Sequence, residues 1–270
     1  MLTEPTLGEK SPSKFYSVLT DIEETIILSL IVMGLILPLT VPTTPLDAHH
    51  YSDPVLEYDL TWVSDIISDE PHLLRYDTYH ISITQEDWDS QATLPYFRYQ
   101  SWYSPSCSIL IDKNNTYVKA IAEYIQSLSP NPYLEIVNAH RFVNSLQYTT
   151  DLYNYGIEEY WATPIETLAH RGGDCEDLAV LLASLYCAMD IPCVLLYYPA
   201  HCSVAVYYQD NLYPMDPTAT YPTGVYLQST DLTYMGYKPE IIEPCDKKWI
   251  ADVSRDLALY RYWIRDSFGI

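Results

Sequence analysis

The chain has 270 residues, of which 36 are acidic and 14 are basic, so its formal net charge is −22 with histidine neutral. This excess of negative charge repels polyanions, and we therefore expect no nucleic acid partner. The length is sufficient for one substantial domain with accessory elements.

The first element in chain order is an apolar stretch at residues 25–46 that carries no charged side chain. About 20 apolar residues are enough to cross a membrane, so we interpret it as a single-pass transmembrane anchor behind a short cytoplasmic tail at residues 1–24. A cleaved signal peptide and a buried core helix are alternative interpretations; acidic residues before the stretch disfavour the signal peptide. Lys10 and Lys14 lie on its N-terminal side, which places the rest of the chain outside the cytoplasm.

Residues 47–113 are rich in Tyr, Trp, Asp and Pro and include a strand-like piece at 76–84, so we expect an accessory or stalk region. Apolar residues at helical spacing then predict two amphipathic helices, at residues 115–128 and 133–147.

A third helix is predicted to begin at Cys175, directly after Gly172 and Gly173, and to end before Pro192. Its apolar residues recur so often that most of it should be buried. A helix N-terminus favours an anion, and the thiolate is the nucleophilic form of cysteine. The backbone N–H of Cys175 is also a candidate donor to an oxyanion.

Three short β-strands are predicted after this helix, at residues 193–198, 201–208 and 212–216, with the last at the edge of a sheet because its proline cannot donate a hydrogen bond. Antiparallel pairing of the last two strands would bring His201 and Asp216 side by side. A C-terminal helical extension is expected at residues 226–270.

Cysteine, histidine and aspartate in this order are the components of a cysteine acyl-transfer site. In this interpretation Cys175 attacks the substrate, His201 moves the proton, and Asp216 orients His201. The other histidines have no recognisable partner in the sequence and receive no role. Of the six cysteines Cys175 must be free, while the others have a connectivity that the sequence does not determine.

Four segments together resemble the transglutaminase-like superfamily: residues 161–168, 173–179, the strand with His201, and residues 213–218. The first two are also similar to bacterial transglutaminase-like cysteine proteinases. The resemblance implies an α+β, papain-like transglutaminase core, with the nucleophile helix packed on an antiparallel sheet, which we assign to residues 114–225. It also implies a Cys175–His201–Asp216 triad.

The resemblance further concerns the acidic residues beside the cysteine. In some of the bacterial proteinases such residues hold calcium, and Asp174 and Glu176 match that pattern, so calcium is a hypothesis here. Helix capping is the simpler interpretation of the same carboxylates. Two carboxylates are too few to establish a site, and we assign no metal and no cofactor.

The expected function is that of a membrane-anchored, transglutaminase-like cysteine hydrolase that acts on peptide or amide bonds of a protein or peptide substrate through a thioester. One alternative is a transglutaminase, in which an amine replaces water as the acceptor. The other is a non-catalytic module that binds peptide in the same cleft.

Overall fold

The structure is a computed structural model, and it describes four stretches of the chain: residues 55–67, 73–91, 107–222 and 226–246. The predicted anchor at residues 25–46 and most of the predicted C-terminal extension lie outside them. Within the four stretches, no helix has the length and apolar character needed to cross a membrane.

Helices and strands alternate along the described residues. The helices are α1 (Gln85–Gln91), α2 (Thr116–Leu128), α3 (Pro132–Asn144), α4 (Asp151–Tyr155), α5 (Pro164–Ala169) and α6 (Cys175–Ala188), with a short 3₁₀ turn at Cys107–Leu110. The strands are β1 (Val55–Ile67), β2 (Leu73–Thr84), β3 (Gln147–Tyr148), β4 (Gly172–Gly173), β5 (Cys193–Tyr198), β6 (His201–Tyr208), β7 (Asn211–Pro214) and β8 (Ile241–Pro244).

The central sheet has four antiparallel strands in the order β7-β6-β5-β8. Its hairpins close through two-residue turns that require positive φ angles, at Ala200 between β5 and β6 and at Gln209 and Asp210 between β6 and β7. The three strands that the sequence predicts at residues 193–216 are therefore confirmed, with β7 at the edge.

Helix α6 packs against one face of this sheet and is buried along nearly its whole length. Helices α2 and α3 pack against α6, so that it lies at the centre of one apolar core. This arrangement confirms the predicted α+β class, with a cysteine-bearing helix packed on an antiparallel sheet.

Strand β8 lies within residues 226–270, for which we expected a helical extension, and residues 247–270 of that extension lie outside the described stretches. Residues 241–244 pair with β5 and complete the central sheet. The β-branched pair Ile241-Ile242 followed by Glu243-Pro244 suits a short edge strand. The central sheet therefore includes residues that follow the segment 114–225, which we assigned to the core.

The first two strands form a long hairpin that is packed on the core. Trp62 is buried there, with its ring 5.1 Å from that of Phe142 in α3. The backbone of Asp65 exchanges two hydrogen bonds with the Asn138 side chain, and its carboxylate pairs with Arg141 at 3.1 Å. The accessory region therefore contributes a layer to the core.

Helices α2 and α3 confirm the two amphipathic helices, each with an asparagine at its N-cap. Helix α3 ends at Asn144, three residues before the predicted end at 147. The chain leaves the helix there because Gln147 and Tyr148 pair as β3 with Gly172 and Gly173. Strand β3 thus lies beside the residues that precede Cys175.

Candidate active site

Cys175 is the first residue of α6, as the sequence predicts. First-turn backbone N–H groups of a helix have no intrahelical acceptor, so the Cys175 N–H is free of the helical ladder. Gly173 allows a close approach just before it: a Cβ there would lie 2.5 Å from a carboxylate oxygen of Asp177. Only glycine leaves room for the Asp177 side chain beneath this turn.

His201 and Asp216 are brought together by the two hairpins. The Nε2 atom of His201 lies 2.9 Å from Oδ2 of Asp216, and both side chains are almost fully buried. A carboxylate can only accept, so Nε2 carries the proton and Nδ1 is the nitrogen left to receive one. This is the orientation that a histidine base needs.

Asp216 is satisfied at every polar group. Its Oδ1 accepts from the backbone N–H and the hydroxyl of Thr218, at 2.9 and 2.8 Å, and its own N–H donates to the Tyr221 hydroxyl. Burial alone would raise the pKa of Asp216, but the bonds from His201 and Thr218 outweigh it and the pKa is lowered. The residue is thus a stable carboxylate.

His140, to which we assigned no role, supports the same loop. Its Nε2 donates to the backbone carbonyl of Asp216 at 2.7 Å, and its Nδ1 accepts from the Tyr226 hydroxyl at 3.2 Å. Burial lowers the pKa of His140 to about 4, so the ring is neutral. A polar residue on the buried face of a predicted amphipathic helix was the signal that the sequence offered.

The Cys175 sulphur lies near the start of β6, where the backbone of Cys202 is close enough to favour the thiolate and to lower the pKa of the thiol slightly. It also donates to Oε2 of Glu176 at 3.1 Å. No hydrogen bond joins it to the His201 ring in the described part of the chain. Burial raises the pKa of the Cys175 thiol well above its ordinary value, and the charge of Glu176 and the bond to it raise it further.

Five carboxylates surround this turn; we call them the acidic cluster. It contains Asp151, Glu159, Asp174, Glu176 and Asp177, and oxygen atoms within its overlapping groups of three lie within 4.8 Å of one another. The two residues of our calcium hypothesis, Asp174 and Glu176, are among them. The sequence did not associate Asp151 and Glu159 with the cysteine, because their approach is tertiary.

The acidic cluster is electrostatically strained. Burial first, and then the charge of neighbouring carboxylates, raises the pKa of Asp174 to about 9 and that of Asp151 to about 8. Burial also raises the pKa of Glu176 to about 7, although bonds with Asp174 and Cys175 oppose it. Asp177 is fully buried and its pKa is raised as well.

Three oxygens of the acidic cluster are buried without a hydrogen-bond partner: Oδ1 of Asp151, Oδ1 of Asp174 and Oδ2 of Asp177. Burying a carboxylate oxygen without a hydrogen-bond partner lowers the stability of the folded protein, and burying several such oxygens together lowers it further. Oxygen atoms in this number and proximity fit the ligand preference of a hard divalent cation.

All six cysteines are free thiols. The sulphurs of Cys187 and Cys193 lie 4.0 Å apart in the core. Free thiols are compatible with the requirement that Cys175 not be in a disulfide.

Residues 112–240 match the family model described as "Transglutaminase-like domain". A search of the curated proteins finds no significant match.

Among solved structures, EGTA-treated LapG from Legionella pneumophila is 21% identical over 38% of this chain and 69% of its own, with a TM-score of 0.31. Calcium-bound LapG is 20% identical over 38% and 71%, with a TM-score of 0.30. A structure described as a TGase is 12% identical over 64% of this chain and 47% of its own, with a TM-score of 0.32.

The matched residues run from just before α2 to just before β8, and so include Cys175, His201 and Asp216. Residues 112–240 therefore match a transglutaminase-like domain, which confirms the resemblance that the sequence indicates.

Proposed function

We propose that this protein is a cysteine hydrolase that cleaves peptide or amide bonds through a thioester on Cys175. The observation that carries the proposal is the buried His201–Asp216 pair at 2.9 Å, in which His201 is the first residue of β6 and precedes Cys202, whose backbone lies near the Cys175 sulphur. A histidine held by a carboxylate with its second nitrogen free is a general base next to a nucleophile.

In the reaction, the thiol gives its proton to Nδ1 of His201 while the sulphur bonds to the substrate carbonyl carbon. The Cys175 N–H stabilises the oxyanion that forms. The carbon–nitrogen bond then breaks, and the amine leaves with the proton from His201. Water adds to the thioester with His201 as the base, releasing the acid and restoring the thiol. For the first step the sulphur must leave Glu176 and turn toward His201.

Thiol reactivity tests this proposal. Iodoacetamide at neutral pH should alkylate Cys175 selectively, while Cys245, also half-buried, serves as the internal control in the same mass spectrum. His201→Ala should slow the alkylation of Cys175. An equal rate in this variant would contradict an activated thiol.

Turnover then distinguishes the acceptors. Peptides from a cell-envelope extract, treated with wild type or with Cys175→Ser, should show new termini only with wild type. A glutamine-containing peptide with a fluorescent amine should remain unlabelled if water is the acceptor. Labelling by the amine would instead identify a transglutaminase.

A non-catalytic peptide-binding module is the second candidate, and one observation favours it. The thiol donates to Glu176, and its pKa is raised in this arrangement, which opposes nucleophilic attack. Selective binding of peptide without any new termini in the extract would support this alternative.

We further propose that the acidic cluster holds one divalent cation, for which calcium is the best fit because all the donors are carboxylates. The support is the three unpartnered buried oxygens of Asp151, Asp174 and Asp177. A bound cation would offset the negative charge beside the sulphur, which disfavours its thiolate. Glu159 and Glu176 lie near enough to complete the ligand set.

We also propose a membrane anchor, for which the apolar sequence of residues 25–46 is the support. Residues 25–46 would hold the domain at the outer side of a membrane, where it meets peptide substrates. Full-length protein should stay in the membrane pellet after alkaline extraction, and deletion of residues 1–46 should release it. Release of the full-length protein would remove the anchor from the proposal.

A further inference from the structure

Two cysteines, Cys187 and Cys193, lie side by side in the apolar core at the end of α6 that is remote from Cys175. Their sulphurs are 4.0 Å apart, and both side chains are almost completely buried. Cys187 is the second to last residue of α6, which places it about 18 Å along the helix axis from Cys175. The pair therefore takes no part in the proposed triad.

A short connection of fixed shape brings the two cysteines together. Helix α6 ends in a Schellman motif, in which the N–H of Ile191 donates to the Tyr186 carbonyl at 2.9 Å. In the second bond of the motif, the N–H of Asp190 donates to the Cys187 carbonyl at 3.3 Å. Asp190 has the positive φ angle, 62°, that this motif requires. The chain therefore turns back directly after α6, and β5 begins with Cys193 beside the last turn of the helix.

The backbone at Cys193 is held from both sides. Cys193 is the first residue of β5 and pairs with Val206 in β6, and its carbonyl accepts from the N–H of Cys245 at 3.1 Å. Its sulphur also lies 3.9 Å from the carbonyl oxygen of Ala183, one helical turn before Cys187. The Cys193 side chain thus faces the part of α6 that carries Cys187.

This geometry suits a disulfide bond. Such a bond is about 2.0 Å long, so the two sulphurs need to approach each other by about 2 Å. Rotation about the Cα–Cβ bonds of the two side chains can move the sulphurs this far while the backbone stays in place. Burial raises the pKa of the Cys193 thiol, so a disulfide that has formed in this part of the core is shielded from reducing thiols.

We infer that Cys187 and Cys193 are a disulfide-forming pair that fastens the end of α6 to β5. In the reaction, the thiolate of one cysteine attacks a low-molecular-weight disulfide such as glutathione disulfide, and one glutathione leaves as a thiolate. The second cysteine thiolate then displaces the other glutathione. The pair loses two protons and two electrons, which the two glutathione molecules carry away as thiols. Disulfides persist outside the cytoplasm, where the proposed anchor would place this domain.

Cys245 is the competing partner of Cys193, because it follows Pro244, which pairs with Val194 in β5. The order of folding favours Cys187. Cys187 and Cys193 close a loop of seven residues, so they meet as soon as the end of α6 has formed. Cys245 reaches Cys193 only after β8 has joined the sheet.

Peptide mapping after redox equilibration tests the inference. The full-length protein in detergent would be equilibrated in glutathione buffers of increasing oxidising strength, with urea below the unfolding midpoint to give access to the core. Free thiols would then be blocked with N-ethylmaleimide in guanidinium chloride. A protease that cleaves before aspartate cuts at Asp190 and separates the two cysteines into residues 177–189 and 190–209. We expect these two peptides to remain joined until a reductant is added.

Cys202→Ser is the background for the mapping, because residues 190–209 then contain only Cys193. The number of maleimide groups should fall from five in the reduced protein to three in the oxidised protein. Oxidised protein should melt roughly 5 °C above reduced protein, because the closed loop restricts the unfolded chain. Cys187→Ser in this background should lose both the linkage and the shift. Cys107→Ser, at another buried cysteine, should keep both.

Maleimide on all five thiols in the most oxidising buffer would overturn the inference, as would glutathione adducts without a linkage. Linkage of residues 190–209 to the peptide that carries Cys245 would also overturn it, and so would an equal melting shift in Cys187→Ser. The assay requires no turnover, so its result is independent of the proposed hydrolysis.

Discussion

On one side of the candidate active site lie His201 and Asp216, and on the other lie Cys175 and the acidic cluster. Asp216 has a hydrogen-bond partner for each of its polar groups, and its backbone carbonyl accepts from Nε2 of His140. Across the site, three carboxylate oxygens are buried without any partner, and the thiol shares its proton with Glu176.

In the proposed mechanism, this difference means that the base is organised in advance, whereas the nucleophile depends on relief of negative charge. Hydrogen bonds within the chain are enough to fix an imidazole and one carboxylate. No arrangement of the same chain removes the mutual repulsion of buried carboxylates, so the other side requires protons or a cation. Each prediction below perturbs one of the two sides.

The largest effect is expected at the base. Asp216→Asn keeps the shape of the side chain but replaces one accepting carboxylate oxygen by an amide NH2 group that can only donate. An amide NH2 group at that position cannot accept from the Nε2–H of His201, so the imidazole loses its orientation. By analogy with other histidine bases that lose their carboxylate, we expect turnover to fall by about 10⁴-fold. Steady-state hydrolysis measures it, with Asp210→Asn in the exposed β6–β7 turn as the control. Asp216→Asn activity within tenfold of wild type would show that the pair is structural.

The next effect concerns the acidic cluster. A cation that binds only the folded state stabilises it by about 4 kcal/mol at a thousandfold excess over its dissociation constant. For a domain of this size that corresponds to roughly 10 °C in melting temperature. Excess EGTA should therefore lower the melting temperature by this amount, and added calcium should restore it.

Two variants separate the cation from general effects of charge. Asp177→Asn should abolish the response to calcium, while Glu158→Gln, an exposed carboxylate in the same region, should leave it intact. No change of activity or melting temperature with EGTA would refute the cation site.

The pH dependence of the chelated protein should show the same strain. The pKa values of about 7, 8 and 9 for Glu176, Asp151 and Asp174 lie above those of the unfolded chain, which are about 4. Folding thus favours the protonated forms, and stability without calcium should fall as the pH rises from about 4 to about 9. Urea unfolding in EGTA measures the slope, and a flat profile would contradict it.

A smaller effect is expected at His140, beneath the base. Its pKa of about 4 in the folded state lies below the usual 6.5, so folding favours the neutral ring. This contribution is present above pH 6.5 and is lost as the pH falls toward 4, by about 3 kcal/mol in all. His140→Gln keeps a donor and an acceptor but does not titrate. Its unfolding free energy should therefore depend less on acid than that of wild type, and an equal dependence would exclude His140 as the cause.

The parts of the fold that the sequence predicted are those set by local pattern. Helix α6 and strands β5 to β7 follow from apolar periodicity and from turn residues that adjoin them. The sequence did not predict strand β8, because a segment of four residues adopts a strand conformation only by pairing with β5.

The same distinction applies to the site. Cys175, His201 and Asp216 were identifiable because each lies within a short motif at an element boundary. His140 acts on Asp216 across 76 residues of chain, and Asp151 enters the acidic cluster from a separate helix. Contacts of this kind depend on how α3 and α4 pack, which no local pattern encodes.

The smallest effect is expected at Thr218, where the base is supported twice. Thr218→Val removes the hydroxyl that donates to Oδ1 of Asp216 at 2.8 Å but keeps the backbone N–H that donates to the same atom at 2.9 Å. A hydrogen bond to a charged group contributes about 1.5–3 kcal/mol, but the backbone N–H keeps Oδ1 partnered, so turnover should fall only about tenfold. Thr220→Val, on the exposed side of the same loop, is the control and should have no effect. A loss as large as that of Asp216→Asn would mean that the base depends on a single contact, and the two sides of the site would then be equally fragile.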